Sequence, residues 1–227
     1  MGDEDPGPKG HRERLRQRLL SGGADALLDY ELLEYLLCLA IPRQDTKPLA
    51  KTLIARFGGL PAVLTAEPEA LAQVKGVGET AVAAIKIAQA SALHLLRARA
   101  SEQPVLSGWQ ALLDYLHADM AHGPHERFRV LHLNARNMLI CDDLMGEGSV
   151  DEAPVYVRKV IARAMELHST SLILVHNHPS GDPQPSRADI EITRKLADAA
   201  KLLDITIHDH LVIGTSGHSS MRALGLI

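Results

Sequence analysis

Through residues 1–100, apolar side chains recur at helical spacing and nowhere alternate with polar ones over the length of a strand. Glycine pairs and single prolines interrupt this spacing, so it predicts several short helices followed by a long one. The predicted helices are 11–20, 29–40, 46–57, 60–64, 68–73 and 79–100. Residues 1–10 are rich in glycine and proline and predict a disordered tip, which leaves an all-helical domain at 11–100.

Beyond residue 105 the pattern changes between helical spacing and runs typical of strands. It predicts helices at 107–120, 154–168 and 187–203, and strands at 127–133, 138–144, 171–175 and 205–213. The run at 171–175 does not alternate, as is typical of a buried central strand. We therefore expect an α+β chain in which a mixed α/β domain at 105–227 follows the helical domain, with a boundary near 101–105 at Pro104.

Composition narrows the classes of protein. Because 46% of the 227 residues are hydrophobic and 23% are charged, the chain is able to bury a core, and global disorder is excluded. Aromatic residues, at 3%, are too few for a surface that stacks single-stranded bases. Two cysteines supply neither a disulfide framework nor a cysteine zinc site, and no apolar run reaches the roughly 18 residues of a membrane span. We expect a cytoplasmic protein without a membrane partner.

One turn in the helical domain has the residues of a phosphate contact. Lys75-Gly76-Val77-Gly78 separates two predicted helices, and glycines there expose backbone N–H groups at a helix N-terminus. The turn resembles a helix-hairpin-helix, and Lys75, Gly76 and Gly78 are therefore candidates for non-specific DNA contact. The opposing interpretation is that the turn only links packed helices. Residues 1–100 carry 13 Lys and Arg against 12 Asp and Glu, a net charge of +1, whereas DNA-binding domains typically show a clear basic excess.

Histidine supplies the candidate metal chemistry, since ten of the 12 histidines follow residue 100. His176 and His178 are two residues apart at the end of the buried strand, so their side chains lie on one side. A Pro/Gly-rich loop then leads to a helix start at Ser186, with Asp189 in the first turn. Two imidazoles and a carboxylate leave the fourth position of Zn²⁺ for water, although Mn²⁺ and Fe²⁺ accept the same ligands.

Two other interpretations concern neighbouring residues. Ser186-x-x-Asp189 is also a capping box, in which both side chains only bind helix N–H groups. His208 and His210 lie in the last predicted strand and are expected to share a face there, as support rather than as ligands. Other zinc chemistries are excluded, because the chain contains neither His-Glu-x-x-His nor the Pro-Cys-x-x-Cys of nucleobase deaminases.

The spacing His-x-His, seven residues, Ser, two residues, Asp resembles the motif of the JAMM/MPN metalloproteases. The wider stretch 176–194, with Pro179-Ser180-Gly181-Asp182-Pro183, the Gly76-Val77-Gly78 hairpin, Asp209-His210 and the final Leu224-Gly225-Leu226-Ile227, is similar to the bacterial RadC family. The resemblance implies an MPN fold, with one Zn²⁺ held by His176, His178 and Asp189. It implies that Ser186 stabilises the tetrahedral intermediate and that an upstream glutamate deprotonates the attacking water.

The position that matches this glutamate is Asp143, in Leu139-Ile140-Cys141-Asp142-Asp143, and Glu147 is the substitute nearby. The resemblance thus implies a metallopeptidase or isopeptidase that acts on a peptide or protein, with Asp143 as general base. The alternative is a non-catalytic, DNA-associated protein in which the metal is structural. A metal-dependent nuclease fits less well, since the sequence shows no second carboxylate cluster for a two-metal site.

Overall fold

The computed structural model describes residues 7–148 and 155–227. This part of the chain divides into two compact units between Ser91 and Ala92. Residues 1–6 of the predicted disordered tip, and the start of the helix predicted at 154–168, lie outside the described residues. Within the two described ranges, every helix is too short or too polar to cross a membrane.

The first unit is helical, as the spacing of apolar residues predicts. Its helices are α1 (Gly7–Gly22), α2 (Asp29–Ala40), α3 (Lys47–Phe57), α4 (Leu60–Thr65), α5 (Pro68–Ala72) and α6 (Glu79–Ser101), the last of which continues past the division between the units. α1 begins at Gly7, within the predicted tip. The core of the unit is built from fully buried leucines on α2, α3 and α5, together with Val63 and Ile85. The all-helical N-terminal region is therefore confirmed.

The second unit contains a mixed five-stranded sheet in the order β2-β1-β3-β4-β5. Its remaining elements are α7 (Trp109–Met120), β1 (Arg127–Leu133), β2 (Leu139–Glu147), α8 (Val157–Glu166), β3 (Ser171–Asn177), α9 (Arg187–Lys201), β4 (Thr206–Gly214) and β5 (Gly217–Ser220). β3 runs parallel to β4, and the other neighbouring pairs are antiparallel. Every residue of β3 is buried, as predicted for a central strand.

Helices cover both faces of this sheet, because strand side chains alternate between the faces. On one face α7 packs on Leu131, Ile173 and Leu211, and on the other α8 and α9 pack on Leu172 and Leu174. The α+β class with a mixed sheet is confirmed. The layer of α8 and α9 carries the candidate site, since His176 continues the series Leu172, Leu174 on that face.

An irregularity in β4 corrects one prediction. Leu172 pairs with Ile207 and Ile173 pairs with Asp209, so the register passes over His208. Such a bulge shifts the following side chains by one position relative to the faces of the sheet. His208 Nε2 lies 2.8 Å from Asn137 Oδ1, whereas His210 Nε2 lies 2.8 Å from His176 Nδ1. The expectation that His208 and His210 share a face is wrong.

Candidate metal centre

The structure brings the three predicted metal ligands together where β3 ends and α9 begins. His176 Nε2 lies 3.0 Å from His178 Nε2 and 3.3 Å from Asp189 Oδ1, and His178 Nε2 lies 3.5 Å from Asp189 Oδ2. The ligand atoms all lie within 4.8 Å of one another. Among the described residues, these three form the one group of His, Cys, Asp or Glu side chains arranged closely enough to hold a metal ion. His176 is buried, while His178 and Asp189 are partly exposed. The group therefore faces solvent on one side.

The loop between β3 and α9 is tied down at both ends of its first turn. The N–H of His178 donates to the Ile213 carbonyl, and the N–H of Gly181 donates to the His178 carbonyl, each over 2.9 Å. A Cβ at Gly214 would overlap the carbonyl of Gly181, so glycine is required for this close approach. The loop thus leaves β3 in a fixed direction and delivers the start of α9 back to the two histidines.

Asp189 belongs both to the cap of α9 and to the group of candidate metal ligands. Its Oδ2 accepts the N–H of Ser186 over 2.7 Å, and its own N–H donates to Ser186 Oγ over 3.2 Å, which completes a capping box at the start of α9. The same carboxylate faces both histidines. The capping and ligand interpretations of this motif are therefore compatible, since one side chain occupies both positions.

Hydrogen bonds to fixed acceptors determine where His178 carries its proton. His178 Nδ1 lies 2.8 Å from the carbonyl oxygen of Asp182, which only accepts, so Nδ1 bears hydrogen. In the neutral imidazole the lone pair is then on Nε2, which faces His176 Nε2 and the Asp189 carboxylate. Lone pairs that converge at these distances repel one another unless a proton or a cation lies among them.

Charges at the site follow from the same contacts. Burial raises the pKa of Asp189, but the two histidine rings that face its carboxylate, His176 and His178, lower that pKa by more, so the carboxyl group is ionised. The Asp189 hydrogen bond raises the pKa of His178 above its ordinary value despite partial burial. Burial holds the pKa of His210 well below its ordinary value, so His210 is neutral. An ionised carboxylate beside two imidazole Nε2 atoms suits a divalent cation.

Asp143, the predicted general base, faces a different group of residues. Its Oδ2 lies 2.7 Å from Arg163 Nε on α8 and 3.7 Å from His132 Nε2, and Cys141 Sγ donates to its Oδ1 over 3.2 Å. Burial raises the pKa of Asp143, but the hydrogen bonds from Arg163 and Cys141 and the charge of Arg163 lower that pKa by more. A carboxylate held in this way is a weak proton acceptor.

The strand register also separates Asp143 from the three ligands. Asp143 pairs with Val130, whereas His176 pairs with Phe128 on the other side of β1. Two strands across and two residues along correspond to about 12 Å between the Cα atoms. The substitute candidate, Glu147, is exposed at the end of β2. Neither carboxylate belongs to the group of three ligands.

A further carboxylate, that of Glu126, lies near the site, although no local sequence pattern indicates it. Phe128 pairs with His176 in antiparallel register, so continuing that register by two residues sets Glu126 opposite His178. The side chain of Asn177 fixes the backbone on both sides of Glu126 to the end of β3. Its Oδ1 accepts the N–H of Arg127 over 2.9 Å, and its Nδ2 donates to the His125 carbonyl over 3.1 Å. The hydrogen bond to Asp189 is the largest cause of the raised pKa of His178, and the negative charge of Glu126 adds to it. Glu126 is thus an acidic side chain beside the metal ligands.

The glycine turn of the first unit lies between α5 and α6. Lys75, Gly76 and Gly78 are exposed between α5 and α6, and Gly76 has a φ of 94°, which favours glycine. Val77 between them is buried in the core of the unit. The turn therefore links packed helices and leaves Lys75 and the glycines accessible. DNA contact by these residues stays a prediction.

Comparison with known proteins identifies relatives of both units. A RadC-like JAB domain matches residues 106–226, and the UPF0758 N-terminal region matches residues 10–83. The chain is 53% identical over 217 residues to a UPF0758 protein of Ruegeria pomeroyi, across 96% of this chain and 97% of that protein. It is 54% identical over 213 residues to a UPF0758 protein of Rhodobacter capsulatus, across 94% of this chain and 100% of that protein. The JAB match includes the whole candidate metal centre.

Proposed function

Because the chain belongs to the RadC family of JAB-domain proteins, we propose that residues 105–227 form a zinc-dependent metallopeptidase or isopeptidase that hydrolyses amide bonds. The observation that carries this proposal is the convergence of His176, His178 and Asp189 on one point where the central strand β3 ends. The printed names of the relatives state no activity, and the chemistry of these side chains is what supports hydrolysis.

The donor set fits a zinc ion. His178 Nε2 offers a lone pair because its Nδ1 is hydrogen-bonded to a carbonyl, and the Asp189 carboxylate is ionised. Three protein ligands with one solvent-exposed side are typical of catalytic zinc sites, whereas structural sites have four protein ligands. When bound, Zn²⁺ lowers the pKa of water toward about 7 and polarises a carbonyl group. Mn²⁺ and Fe²⁺ accept the same donors, so we propose zinc on donor type and geometry.

We assign the proton transfers to Glu126 in place of Asp143. Glu126 lies across from His178, and it accepts a proton from the attacking water and returns it to the leaving amide nitrogen. Ser186 is exposed, and its Oγ accepts the N–H of Asp189, so its hydroxyl hydrogen is directed to a donor role. It stabilises the developing charge on the carbonyl oxygen of a peptide or protein substrate.

An activity measurement on three proteins tests the proposal. Wild type, Glu126→Gln and His176→Ala are treated with chelator, dialysed and reloaded with ZnCl₂, and cleavage of a mixture of internally quenched peptides is followed. Glu126→Gln should retain zinc and lose about 10²- to 10⁴-fold in rate, as expected for a missing general base. His176→Ala should lose both zinc and cleavage. Unchanged cleavage by Glu126→Gln would refute the assignment of the base.

The non-catalytic alternative makes the opposite forecast. If the metal is structural, wild type retains zinc but cleaves no peptide of the mixture, and Glu126→Gln is indistinguishable from wild type in every measurement. We favour catalysis because His178 and Asp189 are partly exposed and Ser186 is exposed beside them, whereas a structural ion needs no access for substrate.

A further inference from the structure

We propose that His210 and Thr193 are positioning residues that fix the proton of His176 on Nδ1 and so direct its Nε2 lone pair into the metal centre. We call Thr193, His210 and His176 the tautomer chain. This inference rests on the proposed function, because the tautomer matters only if His176 binds a metal. The positions of the protons are a property of the metal-free protein and are measured separately.

The tautomer chain starts at the backbone carbonyl of Asp189, which is a stronger acceptor for the Thr193 hydroxyl than the thioether Sδ of Met221, 3.5 Å away. Thr193 Oγ1 is hydrogen-bonded to the backbone carbonyl of Asp189, one helical turn earlier on α9. A carbonyl oxygen only accepts, so the single hydroxyl hydrogen of Thr193 points to Asp189. The same Oγ1 is within hydrogen-bond distance of His210 Nδ1. Because the hydroxyl hydrogen is already used, Thr193 accepts in this second bond, and His210 Nδ1 carries hydrogen.

The proton positions of the two histidines follow in turn. A neutral His210 with hydrogen on Nδ1 has its lone pair on Nε2, which lies 2.8 Å from His176 Nδ1. His176 Nδ1 must therefore donate, and His176 Nε2 is left as a lone pair that faces His178 and Asp189. The Asp182 carbonyl likewise holds His178 Nδ1 as a donor, independently of the tautomer chain. Both rings thus present Nε2, and not Nδ1, to the metal position.

Burial excludes water as a hydrogen-bond partner for the members of the tautomer chain. Thr193 and His210 are both 0% exposed, so water does not compete for their polar atoms. The ring of His210 also packs edge-on against Phe128, with ring centroids 5.6 Å apart, which restricts its rotation. The bulge at His208 sets His210 toward α9. The tautomer chain therefore connects β3, β4 and α9, and it ends on the backbone of the residue that supplies the third ligand.

Replacing Thr193 by valine keeps the shape of the side chain and removes the hydroxyl. His210 Nδ1 would then be a buried donor without an acceptor, so the other tautomer, with hydrogen on Nε2, becomes favoured. That hydrogen points to His176 Nδ1 and drives the His176 proton onto Nε2, where the metal should bind. Loss of partners of this kind typically weakens metal affinity about 10- to 100-fold. Thr193→Ser keeps the hydroxyl and should behave as wild type.

Two measurements on folded protein test the tautomer chain. Long-range ¹H–¹⁵N spectra of the metal-free protein report which ring nitrogen of His176 and His210 carries hydrogen. Competition with a chelating dye gives the Kd for ZnCl₂. We expect Nδ1–H on both histidines in wild type and Thr193→Ser. In Thr193→Val we expect a shift toward Nε2–H and a Kd at least about 10-fold higher. Leu196→Ala, which removes packing from the same helix without a polar contact, controls for lower stability.

The outcomes separate this inference from the proposed function. Hydrogen on Nε2 of His176 in metal-free wild type would overturn the tautomer chain without any variant. Wild-type tautomers and an unchanged Kd in Thr193→Val would also overturn it, even though zinc binds. If wild type shows the expected tautomers and binds no zinc, the inference on proton positions is supported and the proposed metal-dependent function fails.

Discussion

The double use of Asp189, as helix cap and as metal ligand, leads to a prediction in which changes at two neighbouring residues have separate effects, one on stability and one on zinc binding. Ser186→Ala removes the acceptor for the Asp189 N–H and leaves the carboxylate in place. Asp189→Asn keeps a side-chain oxygen that accepts the Ser186 N–H, but it replaces an anionic ligand by a neutral amide. The first change should weaken the helix start, and the second should abolish zinc binding.

The expected magnitudes follow from these contacts. Loss of an N-cap hydrogen bond costs about 1 kcal/mol, which lowers Tm by roughly 2–4 °C in a chain of this size. Zinc at 100 times its Kd stabilises the folded protein by about 2.7 kcal/mol. At the same conversion, zinc should raise the Tm of wild type by about 5–11 °C.

Scanning calorimetry of chelator-treated protein, with and without ZnCl₂, measures both effects. Ser186→Ala should start from a lower Tm and show the full zinc-dependent rise. Asp189→Asn should start near the Tm of wild type and show almost no rise. A full zinc-dependent rise in Asp189→Asn would refute the role of Asp189 as a ligand, and an unchanged Tm in Ser186→Ala would refute the energetic importance of the cap.

Three other changes have defined expected results. Asp143→Asn should leave zinc content and peptide cleavage within about twofold of wild type, since Asp143 pairs with Arg163; a loss comparable to that of Glu126→Gln would restore Asp143 as the base. Lys75→Glu should weaken any gel shift of duplex DNA, and the wild-type shift should fade steeply as salt rises; a shift that is insensitive to both would exclude phosphate contact by this turn. The Arg18 hydrogen bond lowers the pKa of Glu31 below its ordinary value, so the stability advantage of wild type over Glu31→Gln in urea titrations should be present at pH 7 and disappear in acid, as the pH falls through that lowered pKa. An advantage that grows in acid would contradict that sign.

The sequence predicts those parts of the fold that depend on local periodicity. α2 and β1 begin and end at the predicted residues, and the apolar run of β3 correctly indicates a central strand. β5 was not predicted, because Gly217–Ser220 contains no apolar residue and is a strand only through its pairing with β4. The bulge at His208 was missed for the same reason, since it is a property of the β3–β4 pair.

The candidate site divides in the same way. His176, His178 and Asp189 lie close together in sequence and meet through one short loop, so their spacing is informative. Glu126 lies near the site only because β1 pairs with β3 in antiparallel register. Arg127 and Asn177, which are hydrogen-bonded across this pairing, are 50 residues apart in sequence. Asp143 was preferred from a resemblance of motifs, whereas its partner Arg163 lies on α8, beyond the reach of local spacing.

The central claim is that His176, His178 and Asp189 bind one zinc ion and leave one position open. X-ray absorption at the zinc edge of the purified, zinc-loaded protein tests it most directly. We predict one zinc per chain with four nitrogen or oxygen neighbours, including two imidazoles at about 2.0–2.1 Å, and the loss of this signal in His176→Ala. Sulfur neighbours at about 2.3 Å, or a spectrum that His176→Ala leaves unchanged, would contradict the account.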